Sequence, residues 1–200
     1  LGTEIKDLAT LGVLNTATTG NYFLSSDITM TDTWTNSNTN VFTGVFDGMG
    51  YTIKDIKTTG LFNGFGGTIK NVAFDNAAFS ASGTGIIAQT VPSNKTAVVE
   101  NVAIKIKADA TNGYIRCGAI TRYVQNAAHL IMRNSIIEMN TSDNQNGFIV
   151  GMTHPDYTRV LAINCYFITN NMLPTGLRSD GTYIKNISEL TDDTSNYTNF

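Results

Sequence analysis

Hydrophobic and polar positions recur along the chain in a frame centred on asparagine. Four segments carry this frame, and their asparagines are 30, 33 and 30 residues apart. We call them the ladder asparagines: Asn71, Asn101, Asn134 and Asn164. A period near 30 residues, combined with short stretches of apolar alternation, is typical of a repeat protein in which similar β-rich units stack.

The positions around each ladder asparagine predict which side chains are buried. Residues two before, one after and three after it are mainly apolar or small, whereas those directly before and four after are mostly charged. Because strand side chains alternate between two faces, this change of phase indicates a bend. Asparagine tolerates the left-handed backbone that a tight bend needs. We predict buried corner residues whose amides bond from repeat to repeat, with Asp55 as a fifth member.

A second set of positions predicts another strand in each repeat. Gly85, Gly118 and Gly147 each open an apolar stretch and lie 16 or 17 residues before the next ladder asparagine. Three strands in about 30 residues predict an all-β fold, a right-handed parallel β-helix of about five to six coils. A sandwich would show turn signals every 8 to 12 residues.

The start of the chain has a different pattern. Ile5, Leu8 and Leu11 follow at spacings of three and predict a short helix over residues 4–14, which would cap the exposed end of the stack. We expect one domain, 1–200, with an N-terminal cap and first strand (1–40), β-helical coils (41–190) and a C-terminal edge or junction (191–200).

The composition of the chain argues against some classes of function. Charged residues are 14% of the chain and the net charge is −3, so the basic face of a nucleic-acid binder is missing. The sequence has no apolar run long enough to span a membrane, and it predicts no cofactor and no metal.

Cys117 and Cys165 are expected to be small buried side chains, and their redox state stays open. Because the chain starts without Met, we expect a processed part of a longer protein.

Several segments resemble a known family. Residues 20–28 and 41–53 look like the opening of β-helical repeat modules of bacterial surface and secreted proteins. Residues 147–151 and 164–166 are similar to the glycine-rich signature and strand of the GLUG-motif family within that group. The resemblance covers roughly residues 1–190. It implies a parallel β-helix on the bacterial cell surface or outside the cell, in an adhesin-like protein, and it implies no reaction.

Two regions of the sequence carry side chains that could take part in a reaction or bind a ligand. Glycoside hydrolysis needs two carboxyl groups across a cleft, and the column of Asp75, Lys105 and Glu138 has a lysine between them, which favours a solvated strand face. The segment from His154 to Arg159 is the densest set of reactive groups. We predict that it lies on the same side of the stack as Arg122 and Tyr123, which end the equivalent strand one coil earlier. The resulting candidate binding surface for a glycan or a host or cell-surface protein is Arg122, Tyr123, His154, Asp156, Tyr157 and Arg159.

The sequence therefore favours a non-enzymatic extracellular module that serves in adhesion or in carbohydrate or protein binding. The alternatives are a polysaccharide lyase or hydrolase built on the same fold and a segment of a trimeric phage-type fibre or spike. The fibre would expose apolar outward columns, of which Ile136, Tyr166 and Ile168 are a hint.

Overall fold

The computed structural model of the protein describes residues 2–107, 113–139, 146–153, 159–168, 173–178 and 187–188, with the backbone alone for residue 159 and the last two ranges. Short strands dominate these residues, and helix is confined to one four-residue α-helix and one 3₁₀ turn. In chain order the elements are β1 (Thr3–Ile5), α1 (Leu8–Leu11), the 3₁₀ turn (Gly12–Asn15), β2 (Asn21–Leu24), β3 (Ile28–Thr29), β4 (Val41–Phe42), β5 (Val45–Asp47), β6 (Thr52–Lys54), β7 (Lys57–Thr58), β8 (Phe62–Phe65), β9 (Thr68–Phe79), β10 (Ala88–Val91), β11 (Thr96–Ile106), β12 (Thr121–Val124), β13 (His129–Arg133), β14 (Ile136–Glu138), β15 (Gly147–Thr153), β16 (Arg159–Ile163), β17 (Tyr166–Ile168), β18 (Leu173–Arg178) and β19 (Ile187–Ser188).

The strands form two sheets in which all described neighbours are parallel. The larger sheet has the order β1-β2-β5-β9-β11-β13-β16-β19, and further strands join it beyond a bend as the rows β3-β6-β9 and β11-β14-β17. The smaller sheet has the order β18-β15-β12-β10-β8-β4. Strands that are neighbours in a sheet come from successive repeats. The predicted all-β, parallel, repeating architecture is therefore confirmed.

The core consists of inward side chains in register from repeat to repeat. The position two before the ladder asparagines is filled by Ile69, Val99, Met132 and Ala162, all at most 3% exposed. Near the N-terminal end phenylalanines fill the interior, and the rings of Phe42 and Phe62 stack with centroids 4.4 Å apart. Burial of such aliphatic and aromatic surface is the main force that holds the stack together.

The helix prediction for residues 4–14 was wrong in its extent. Residues 3–5 form β1, which pairs with β2, and Ile5 is fully buried. The helix starts only after Asp7, whose carboxylate accepts from the Thr10 N–H while the Thr10 hydroxyl accepts from the Asp7 N–H. This capping box defines the first turn, so the apolar spacing of three spans a strand and a helix.

The predicted glycine-led strands are only partly as expected. Gly85, Gly118 and Gly147 do align in single parallel bridges. However, β10 and β12 begin three residues after their glycines, and only β15 begins at its glycine. A Cβ on Gly118 would come within 2.5 Å of the Gly151 nitrogen and the Thr121 oxygen, so the backbones are too close there for a side chain.

Candidate functional site

The ladder asparagines form the corners at which the larger sheet bends. Their φ angles lie between 47° and 55°, in the left-handed region. Asn101 donates from Nδ2 to Oδ1 of Asn71 at 2.8 Å, and Asn164 donates in the same way to Asn134 at 2.7 Å. The prediction that they are buried was wrong, because Asn71 is half-buried and the other three are exposed. Two consecutive outward positions at the bend turn these amides towards solvent.

The row of asparagines is interrupted once and is continued by an aspartate. Among the described side-chain hydrogen bonds none joins Asn101 to Asn134, and the Ser135 hydroxyl accepts from the Val102 N–H in that repeat at 3.0 Å. At the other end the Asn71 amide donates to the Asp47 carboxylate at 3.0 Å. The amides therefore carry spare donors and acceptors, since each Asn side chain offers two N–H groups and two lone pairs.

Asp55 belongs to a different corner from the one predicted. The strand register aligns Lys54 with Asp75, so that Asp55 faces Asn76, and the Asn76 amide donates to the Asp55 carboxylate. Both residues have positive φ, 58° and 56°. The early repeats are shorter than the later ones. The Thr-Ile-Lys-Asp motif of residues 52–55 therefore aligns with residues 73–76, one corner after Asn71.

An open groove runs along the outer side of the bent sheet, next to the asparagines. We call it the ladder groove. The ladder asparagines form one wall, and its floor consists of the small or aliphatic outward residues Thr52, Ala73, Ala103 and Ile136. The opposite wall is formed by Lys54, Asp75, Lys105 and Glu138. The groove encloses about 880 Å³, and it crosses successive strands rather than following one of them.

The charged wall of the ladder groove alternates in sign. Lys54 forms an ion pair of 2.8 Å with Asp27, and Lys105 lies 3.6 Å from Glu138. The hydrogen bond from Lys54 lowers the pKa of Asp27, and the same contact raises the pKa of Lys54. Because charges of opposite sign are neighbours along the wall, no net field of either sign is expected in the groove. The pairing of Glu138 with Lys105 agrees with a solvated face for this column.

The charge of Asp47 illustrates how the corner is stabilised. Burial alone would raise the pKa of this carboxyl group, but the Met49 N–H, the Asn71 amide and the Lys70 ammonium group all favour its charged form. The net result is a lowered pKa. Asp47 was missed in the sequence, because its segment shares little with the asparagine frame and only the register with Lys70 reveals it.

The binding surface predicted from the sequence is described only in part. Arg122 and Tyr123 are half-buried residues of β12 in the smaller sheet. The Arg122 Nε is buried and has no hydrogen-bond partner among the described residues. Arg159 starts β16 in the larger sheet, beside His129, and so lies in a different sheet from Arg122. His154, Asp156 and Tyr157 lie outside the described residues.

The two cysteines are buried, and they do not form a disulfide with each other. Burial raises the pKa of Cys165, which disfavours the reactive thiolate. In the part of the chain that the structure describes, no three His, Cys, Asp or Glu side chains come together as a metal site would require. No helix within the described ranges is long and apolar enough to cross a membrane.

Comparison with known proteins adds information on the fold alone. No protein-family model matches the chain, and a search of curated proteins found no match. Among solved structures, the chain is similar to a protein from Bacteroides ovatus described as a candidate immunoglobulin A1 protease, with a TM-score of 0.50 and 17% identity. The match covers 91% of this chain and 81% of the other. At this identity the similarity concerns the overall fold.

Proposed function

We propose that the two parallel sheets close around one core as a right-handed parallel β-helix of about five to six coils. Each repeat contributes strands to both sheets, and right-handed crossovers between parallel strands are strongly preferred. Phe46 of the larger sheet packs edge to face against Phe62 of the smaller sheet, with ring centroids 6.4 Å apart. A core shared by both sheets in this way supports closure.

The protein acts in this proposal as a non-enzymatic binding module of a longer bacterial protein, on the cell surface or secreted. This part of the proposal rests on the resemblance of residues 20–28 and 41–53 to β-helical repeat modules of bacterial surface and secreted proteins, and of residues 147–151 and 164–166 to the adhesin-like GLUG-motif family. A stack of similar coils suits such a role, because it presents an extended surface made of regularly spaced side chains.

The ligand is a linear, uncharged polysaccharide that lies in the ladder groove along the stack. The observation that carries this assignment is the row of exposed amides, whose unused donors and acceptors match sugar hydroxyl groups. From Asn71 to Asn164 the groove crosses three strand spacings, about 14 Å, which is room for several linked sugar rings. The alternating charges opposite favour neither acidic nor basic polymers. Small floor residues leave space for the rings.

The test is binding to a panel of neutral and acidic polysaccharides by affinity electrophoresis, followed by calorimetry on the best ligand. Ala103→Phe fills the floor of the groove from an outward position, while Tyr123→Ala removes an aromatic ring from the other candidate surface. We expect a neutral glycan to bind the wild type and the Tyr123 variant but not the Ala103 variant. The reverse pattern would move the site to the smaller sheet, and a wild type that binds no polysaccharide would refute the glycan assignment.

A further inference from the structure

The outer face of the larger sheet, before the bend, carries two parallel rows of outward side chains. We call this surface the first face. The strand register defines a mainly aliphatic row, Asn21, Val45, Thr68, Val98, Ile131 and Leu161. It also defines a second row, Phe23, Asp47, Lys70, Glu100, Arg133 and Ile163. The second row reads apolar, negative, positive, negative, positive, apolar.

We propose that two copies of this chain pair face to face through the first face, with their stacks antiparallel. The two copies are related by a two-fold axis that runs parallel to the strands at the centre of the face. This assignment is independent of the proposed glycan site, which lies beyond the bend.

The symmetry of such a pair determines which side chains meet. A two-fold axis along the strands places each row opposite the same row of the partner and reverses the order of the repeats. In the second row Asp47 then meets Arg133 of the other copy, and Lys70 meets Glu100. All four charge contacts are attractive. A two-fold axis along the stack, placed over this row, would instead put each charge opposite the same charge.

Within one chain, ion pairs use only part of the charge in this row. Lys70 already lies 3.3 Å from Asp47 of its own chain. By contrast, Glu100 and Arg133 form no ion pair with any other described residue, although they are direct neighbours in the sheet. Ion pairs within one chain therefore involve only the Asp47 and Lys70 half of the alternating row.

Shape supports the same orientation. At its N-terminal end the first face has a shallow, mainly apolar depression of about 400 Å³, lined by Phe23, Val45 and Met49 among others. At its C-terminal end Ile163 projects from the surface and is 37% exposed. Reversal of the repeat order places Ile163 of each copy opposite Phe23 of the other, at that depression. An exposed aliphatic side chain thus enters the depression at each end of the pair.

The area of the first face indicates a weak complex. Six strands at about 4.8 Å span roughly 24 Å, and five residues along a strand span about 16 Å, which corresponds to about 400 Å² per copy. A stable interface of standard size buries about 800 Å² per partner. We therefore expect a micromolar or weaker dimer whose affinity falls with salt, since exposed charges are screened.

Charge reversal tests the contacts. Sedimentation velocity over a wide concentration range should show dimers for the wild type, at least tenfold weaker association for Glu100→Lys, and recovery to within threefold for Lys70→Glu/Glu100→Lys. The double variant restores attraction across the two-fold axis while it leaves Asp47 beside a like charge in its own chain. Asp32→Lys, an equal charge change in an exposed loop, should associate as the wild type does. Thermal unfolding verifies that each variant is folded.

Cross-linking tests the orientation. A mixture of Val45→Cys and Ile131→Cys proteins should form a mixed disulfide dimer on mild oxidation, because these positions face each other only in the antiparallel pair. Val45→Cys alone should cross-link poorly, since its copies lie about three strand spacings apart. The proposal would be overturned if the wild type stayed monomeric or formed a trimer, or if the double charge variant did not recover association. Equally efficient cross-linking of Val45→Cys alone would also overturn it.

Discussion

The corner conformation of Asn101 makes a prediction that inverts the usual order of two substitutions. Its φ of 55° is a left-handed value, and its amide donates to Asn71 at 2.8 Å in an exposed position. Replacement by Ala loses this hydrogen bond, about 0.5–1 kcal/mol, and holds an alanine in the left-handed region, about 1–2 kcal/mol. Replacement by Gly loses the same bond but costs only about 0.5–1 kcal/mol in chain entropy.

We therefore expect Asn101→Ala to destabilise the protein by about 1.5–3 kcal/mol and Asn101→Gly by about 1–2 kcal/mol. The assay is equilibrium unfolding in urea, with the midpoint and slope compared among variants. Ala103, on the regular strand two residues later, is the matched control, and Ala103→Gly should cost about 0.5–1 kcal/mol. If glycine is the worse residue at position 101 as well, the corner does not need the left-handed backbone and the reasoning fails.

Three further predictions concern the core, a close backbone contact and acid stability. Phe62→Ala should cost about 3–5 kcal/mol in urea unfolding, because this 1% exposed ring stacks in the aromatic cluster, and a cost below 1 kcal/mol would contradict that packing. Gly48→Ala should abolish folding or strongly lower the melting temperature measured by circular dichroism, because the added Cβ would overlap the backbone of the next strand. Gly12 has open space around it, so the control Gly12→Ala should melt at or above the wild-type temperature. The folded state lowers the pKa of Asp47, so the carboxyl group of the unfolded chain binds its proton first as pH falls. Part of the free energy of unfolding should therefore be lost below about pH 4, and Asp47→Asn should flatten that loss when urea unfolding is followed against pH.

The interior of the fold could be predicted from the sequence because burial follows local alternation. The residues two before the ladder asparagines are apolar in the sequence and buried in the structure, as at Ile69 and Val99. The same reasoning failed for Asp55, because its surrounding letters copy those around Asn71 although strand pairing places it one corner further. Local similarity cannot fix register when repeats differ in length.

The candidate sites required knowledge of which side chains are neighbours across repeats. The sequence identified Lys70, Glu100 and Arg133 as solvent-facing, but their order with Asp47 emerges only from the strand register. It also assigned the ladder asparagines to the interior. The bend turns their amides outwards, and this exposure creates the wall of the ladder groove.

Polysaccharide binding in the ladder groove is tested most directly by a nuclear magnetic resonance titration that follows the side-chain amides of the ladder asparagines. A neutral linear polysaccharide selected in the binding panel is added to labelled protein, and the amide signals are assigned through single substitutions such as Asn101→Asp and Asn164→Asp. If the polysaccharide lies in the ladder groove, the amide signals of Asn71, Asn101, Asn134 and Asn164 should shift together and saturate at one affinity. Saturable shifts confined to Arg122 and Tyr123, with unchanged asparagine amides, would contradict it.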